Sequence, residues 1–213
     1  MLPLAQGRHH PQIRTAGKVL DTHYRALADP AGTGVGDEGG FAPPIRTPEE
    51  ALDLLVEATA AAGHTSAVHF AIDPASSEFY NADSAEYDLD FKSGSDVEHR
   101  KLNSNQLGDL YRSLLEKYPI VLLEDPFAED DWDSWTAFMR SIKGKVELVG
   151  DDLLCTNTSI VRKAVDKEAC NSMLLKVGAP LIVWKCAELI RSIKSVQSLR
   201  RSMRKRFVQI CQG

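Results

Sequence analysis

The chain has 213 residues, of which 43% are hydrophobic and 26% charged, a balance that supports one sizeable buried core in an ordinary globular protein. A formal net charge of −5 and a pI near 5.7 give no general electrostatic pull toward nucleic acid or an anionic membrane. No run approaches the roughly 18 successive apolar residues of a membrane span, and the N-terminus MLPLAQGRHHPQ lacks the basic start and apolar stretch of a leader, so the chain reads as cytosolic.

Residues 1–34 are rich in Gly, Pro, Ala and His, with one short helical pattern at Val19, Leu20, Tyr24 and Leu27 that stops at Asp29-Pro30. Thr47-Pro48-Glu49-Glu50 supplies a cap, a proline at the first helical position and a glutamate at the third. It predicts a helix with a Leu52/Leu55/Ala58/Ala62 face ending at Gly63. Ala67–Asp73 is a nearly continuous apolar run ending in a carboxylate, the pattern of a buried parallel strand. Residues 78–103 are polar and aromatic and read as an insertion holding a small hairpin at Tyr87–Phe91. Ser104 reads as the cap of a helix whose Leu107, Leu110, Tyr111, Leu114, Leu115 and Tyr118 share one face, with Pro119 ending it. Strands follow at 120–124, 146–151 and 172–176, with helices between them at about 130–142 and 158–167. The alternation is that of a β/α fold with a parallel sheet.

Asp73, Glu124 with Asp125, and Asp151 with Asp152 each end a predicted strand, and Lys176 ends the fourth. In β/α barrels that edge carries the active site. Converging carboxylates repel unless protonated or bound to a hard cation. An all-oxygen donor set favours Mg²⁺ over zinc. Cys155, Cys170, Cys186 and Cys211 have neither C-x-x-C spacing nor a nearby histidine pair and read as reduced thiols. A lysine beside a divalent cation is pushed toward its neutral form, so Lys176 could remove a proton next to a carboxylate. Taken singly, each strand-end acid is as well explained as a cap or surface charge, Asp125-Pro126 and Asp152 included. The ordered set of Asp, Glu, Asp and Lys favours a site.

Gly36-Asp37-Glu38-Gly39-Gly40-Phe41-Ala42-Pro43 resembles the GDEGG loop of the enolase family, and Asp73-Pro74-Ala75-Ser76-Ser77-Glu78-Phe79 is similar to that family's first metal-ligand strand end. Leu123–Trp132, Val149–Leu153 with Thr156-Asn157, and Leu174–Val177 resemble the next three motifs, in the same order and spacing. The resemblance implies a partial TIM-type β/α barrel, the enolase C-terminal domain, over 35–177. It is flanked by a poorly matched segment at 1–34 and a divergent basic tail at 178–213. It further implies that Asp73, Glu124 and Asp151 ligate Mg²⁺ and that Lys176 removes the C2 proton of 2-phosphoglycerate. Glu38 would help the C3 hydroxyl leave on the way to phosphoenolpyruvate, and Asp152 would support the lysine. A homodimer, or association with a full-length enolase subunit, is the implied assembly.

Family features without a match here are the N-terminal α+β domain, the acid partner of Glu38, a loop histidine, the Ser-His-Arg-Ser phosphate-binding motif and the second lysine. A full barrel takes about 250 residues, so an incomplete barrel with open sheet edges is expected. The tail keeps a helical pattern at Trp184, Leu189, Ile190, Ile193 and Val196, then turns basic at Arg200–Arg206. That cluster reads as sequence not selected for this fold, as a frame change or retained intron would produce, ahead of a nucleic-acid-binding patch. Two readings of the whole follow: a Mg²⁺-dependent enolase-like lyase, and a non-catalytic relic that binds Mg²⁺ or an enolase subunit.

Overall fold

The computed structural model describes residues 34–35, 41–42, 45–61, 63, 65–66, 68–93, 98–142 and 144–176. The chain divides into two compact units, Met1–Ala71 with Lys117–Pro119, and Ile72–Glu116 with Ile120–Gly213. Glu38, most of the N-terminal segment, the tail helix and the Arg200–Arg206 cluster lie outside the described residues.

In the first unit, β1 (Gly34–Val35) pairs antiparallel with β2 (Phe41–Ala42), in the register Val35 opposite Phe41. Helix α1 (Pro48–Ala61) starts where the sequence places it, for a local reason. Thr47 Oγ1 accepts the Glu50 N–H at 3.2 Å, and the Glu50 carboxylate reaches back to the Arg46 N–H at 2.7 Å. These bonds satisfy donors that a helix start leaves unpaired. Gly63, at φ +72°, follows its end in the left-handed conformation. Asp53 on α1 accepts the Tyr118 hydroxyl at 2.7 Å and the Lys117 ammonium at 3.3 Å. Strand β3 (Phe70–Ile72) is shorter than the apolar run suggests. Its Phe70 N–H bonds the Pro119 carbonyl at 3.0 Å; apolar continuity marks burial, whereas a strand also needs ladder partners.

The second unit holds the strands β7, β8 and β9, neighbours in that order. Strand β7 is Ile120–Glu124, β8 is Glu147–Gly150 and β9 is Ser172–Met173. The β7–β8 and β8–β9 pairs are parallel, with Glu124 opposite Val149 and Gly150 opposite Met173. The expected strand at 172–176 is thus only two residues long. After Leu174 gives its N–H to the Gly150 carbonyl at 3.2 Å, the chain leaves the ladder and Lys176 donates its N–H to Thr156 Oγ1 at 3.2 Å. Helices α2 (Ser104–Lys117), α3 (Trp132–Ile142) and α4 (Thr158–Lys167) alternate with the strands. The sheet stays open among the described residues, as expected of a partial β/α barrel.

Two local expectations are corrected. The segment before α2 is a three-stranded antiparallel sheet rather than a hairpin at Tyr87–Phe91. It comprises β4 (Tyr80–Asn81), β5 (Glu86–Asp88) and β6 (Lys101–Asn103). Strand β5 stops at Asp88 because the chain turns there, Phe91 donating its N–H to the Asp88 carbonyl at 3.3 Å. Arg100 closes the charged loop with a bidentate pair to Asp90, both bonds 2.7 Å, which holds the Asp90 carboxyl well below the usual range. The cap of α2 is Asn103, not Ser104. Asn103 Oδ1 accepts the Gln106 N–H at 3.0 Å while Gln106 Oε1 accepts the Asn103 N–H at 2.9 Å. The Ser104 hydroxyl instead donates to Asp131 at 2.7 Å.

Aromatic rings fill this unit's core. Phe127 lies edge-on to Phe138, Tyr111 and Tyr87 at centroid distances of 5.5, 6.0 and 6.2 Å. Tyr87, fully buried, donates its hydroxyl to Asp131 at 2.8 Å and accepts the Ala128 N–H at 3.0 Å. One side chain thereby joins the small antiparallel sheet to the loop after β7. Replacing it by phenylalanine keeps the ring but orphans a buried N–H. Tyr87→Phe is expected to lower unfolding free energy in urea by about 1–3 kcal/mol; an unchanged denaturation midpoint would contradict this.

Candidate metal and proton-transfer site

Three loops leave the C-terminal ends of β3, β7 and β8, and each bends through a residue with positive φ. These are Ala75 (+49°) after β3, Asp125 (+39°) after β7, and Cys155 (+44°) with Thr156 (+50°) after β8. Non-glycine residues adopt this region at a cost and gather where the surrounding structure forces them. Gly150 permits the third bend. A Cβ there would lie 3.0 Å from Leu154 Cγ, which the turn brings back as Leu154 and Cys155 both bond the Asp151 carbonyl, at 3.1 and 2.8 Å.

The loops carry the sequence-predicted acids. Asp73 follows β3, is exposed, and accepts the Ala75 N–H at 3.1 Å. Glu124 is the last residue of β7, and Asp151 and Asp152 follow β8. Ligand oxygens of Asp73, Glu124 and Asp125 lie within 4.8 Å of one another, as do those of Asp125, Asp151 and Asp152. The expected set of Asp73, Glu124 and Asp151 is therefore divided over two adjoining groups, and Asp125 belongs to both. Burial, followed by the charges of Asp73, Asp125 and Asp151, pushes the Glu124 carboxyl up to about 7. Burial also pushes Asp125 up to about 7, against the opposing pull of its backbone hydrogen bonds.

Lys176, three residues beyond β9, donates to Asp151 Oδ2 at 2.7 Å. Its side chain is 62% exposed and that of Asp151 16%. The hydrogen bond to Asp151 raises the ammonium's pKa, so the lysine is a cation in this state. Asp152 donates its N–H to Asp125 and its carbonyl accepts the Cys155 thiol at 2.9 Å. Cys155 and Cys170 are free thiols, and burial pushes Cys170 up to about 12.

Asp125 is the residue that sequence reasoning undervalued. The sequence reading places it among the strand-end acids but gives it no role beyond a cap or surface charge before Pro126, yet it is 3% exposed. The available signal was a second acid directly after a strand-terminal glutamate. Ser76 was missed outright. It is fully buried, gives its hydroxyl hydrogen to the Pro126 carbonyl at 2.9 Å, and lies 3.2 Å from the Tyr111 hydroxyl.

The oxygen-only donor set, with its crowded charge, fits a hard divalent cation. The sign of the crowding is testable without one. Both raised acids hold protons in the folded chain that the unfolded chain releases at about pH 4, so stability falls as pH rises from there through about 7. The melting temperature of the metal-free chain is expected to drop by on the order of 5 °C between about pH 5 and 7.5. Glu124→Gln should remove a large part of that slope. A flat or rising profile would show that these two carboxyls are not raised in the folded chain.

Comparison with known proteins bears on which site this is. The family model described as the enolase C-terminal TIM barrel domain matches residues 13–197, beyond both ends of the 35–177 stretch on which the motifs were read. The chain is 49% identical over 181 residues to a protein named enolase from Eimeria tenella, an alignment covering 85% of this chain and 40% of that protein. The chain thus spans less than half the length of that curated relative.

Proposed function

The chain belongs to the enolase family, and from that membership we propose that the carboxylate-lined end of its sheet is the metal and general-base half of a site that dehydrates 2-phosphoglycerate to phosphoenolpyruvate, the glycolytic reaction. The observation that carries the reading is the Lys176–Asp151 pair at 2.7 Å, a base and a metal-ligand acid brought together from two different loops.

In this reading Asp73, Glu124 and Asp151 would hold Mg²⁺ by oxygen. A bound Mg²⁺ would supply positive charge that offsets the mutual repulsion of these carboxylates. Lys176, in its unprotonated form, accepts the C2 proton of the substrate. The C–H electron pair passes toward the substrate's carboxylate and returns to form the C2–C3 double bond as the C3 hydroxyl departs. Glu38 delivers the proton that makes the leaving group water. Asp152 lies next to the Asp151–Lys176 pair and adds negative charge that favours the lysine as proton acceptor. A second copy of the chain, or a complete enolase subunit, is the proposed partner, in the cytosol.

A second reading has its own support: the chain spans only 40% of its relative, and in the described state Lys176 is neutralised by Asp151. On it, the chain binds Mg²⁺ without turning substrate over. The two readings separate in one assay. With Mg²⁺ and 2-phosphoglycerate, the ultraviolet absorbance of phosphoenolpyruvate is expected to rise, and Lys176→Ala is expected to slow that rise by about 10²–10⁴-fold. Calorimetric Mg²⁺ binding with no absorbance above the Lys176→Ala control would establish the non-catalytic reading instead.

A further inference from the structure

We propose that Asp125 is a positioning residue of this site: its buried carboxylate clamps the backbone N–H groups of Asp151 and Asp152 and thereby fixes where Asp151 presents its oxygens beside Glu124 and Asp73. The inference rests on the reading that a divalent cation binds at this end of the sheet.

The geometry assigns a task to every polar group of Asp125. Oδ1 accepts the Asp151 N–H at 3.1 Å and Oδ2 accepts the Asp152 N–H at 3.0 Å. Its own N–H bonds the Val149 carbonyl at 3.0 Å and its carbonyl accepts the Ser76 N–H at 3.1 Å. One residue thus ties together the loops after β3, β7 and β8. Both carboxylate oxygens are already occupied, and at 3% exposure Asp125 is the least accessible acid of either group. Asp73, Glu124 and Asp151 are each more open. Asp125 is therefore placed to orient ligands rather than to serve as one, the relation by which outer carboxylates and amides tune metal centres. The positive φ at Asp125 suits the same role, since it turns the side chain back across the end of β8.

Asparagine at this position keeps the shape but offers one acceptor where two are needed, and turns an N–H toward an N–H. In Asp125→Asn, Mg²⁺ affinity by calorimetry is expected to fall about 10–100-fold. In the metal-free variant, hydrogen exchange at the Asp151 and Asp152 amides is expected to quicken by roughly tenfold or more. Glu129→Gln removes one nearby charge without touching the clamp. It controls for simple electrostatics, with an expected change below about threefold at moderate salt. Unchanged Mg²⁺ affinity in Asp125→Asn would overturn the inference. So would weakened affinity with amide exchange as slow as in the parent chain, which would make Asp125 a direct ligand. The parent chain supplies a test that needs no variant: Asp151 and Asp152 amides that exchange as fast as exposed ones would also overturn it. A parent chain that binds no Mg²⁺ at all would instead sink the metal-site reading, and this inference with it.

Discussion

Burying a carboxylate is costly unless hydrogen bonds replace the lost water, and the end of this sheet is organised around one such group. Asp125 receives two adjacent backbone N–H groups from the neighbouring loop, which offset part of the cost. They do not offset all of it, because burial still leaves the carboxyl near 7. A residue kept only for stability would be better served by a neutral acceptor. What the carboxylate adds is reach in two directions at once, so that two successive amides are fixed relative to the end of β7. The orientation of the Asp151–Asp152 turn, and with it the ion pair to Lys176, follows from that constraint.

The scaffold around this point is arranged to hold loops, not merely to cover the sheet. Ser76 is buried and bonded to the Pro126 carbonyl, so the loop after β3 is fastened to the loop after β7. Tyr87 and Ser104 both donate to Asp131, which fastens the three-stranded sheet and the start of α2 to the far end of that same loop. Phe127, between Pro126 and Ala128, packs against Tyr111 and Phe138. The loop after β7 is thus gripped along its length by aromatic packing and hydrogen bonds. Crowded strand-end acids need such support, since their mutual repulsion pushes the loops apart.

What the sequence made legible was whatever is encoded within a few residues. The Thr47–Glu50 box announces α1 because the bonds it makes span three and four positions. Helix α4 falls at Thr158–Lys167 as expected, since Asn157 caps it by accepting the Ser159 N–H at 3.0 Å. Strand β7 is likewise found where its apolar run lies. The strand-end positions of Asp73, Glu124 and Asp151 were legible for the same reason, as each closes its own run. Features set by distant partners were not. The ends of β3 and β9 depend on where ladder partners stop, β6 pairs with a strand across a loop of charges, and the choice of Asn103 over Ser104 as cap follows from Asp131 drawing the serine away. Asp125 belongs with these. Its partners are 26 and 27 positions along the chain, and no local pattern distinguishes such an acid from a solvated one.

The electrostatics of the site argue that it is arranged for binding rather than for the repose of the fold. Five acids converge on one edge, and Asp151 is paired with a lysine whose side chain is mostly in solvent. A pair whose lysine is so open to solvent contributes little. Burial, with the neighbouring carboxylates, holds the Glu124 and Asp125 carboxyls up near 7, a local cost that the aromatic core and the loop fastenings must bear. Such frustration confined to one end of a sheet is the usual mark of function set against stability. It also orders events. On the proposed reading, a cation bound here would stabilise the fold by the same free energy with which it binds, and would share Asp151 with Lys176. On that reading metal affinity, loop order and the state of the lysine are one coupled quantity, and Asp125, which accepts the Asp151 and Asp152 N–H groups, bears on all three.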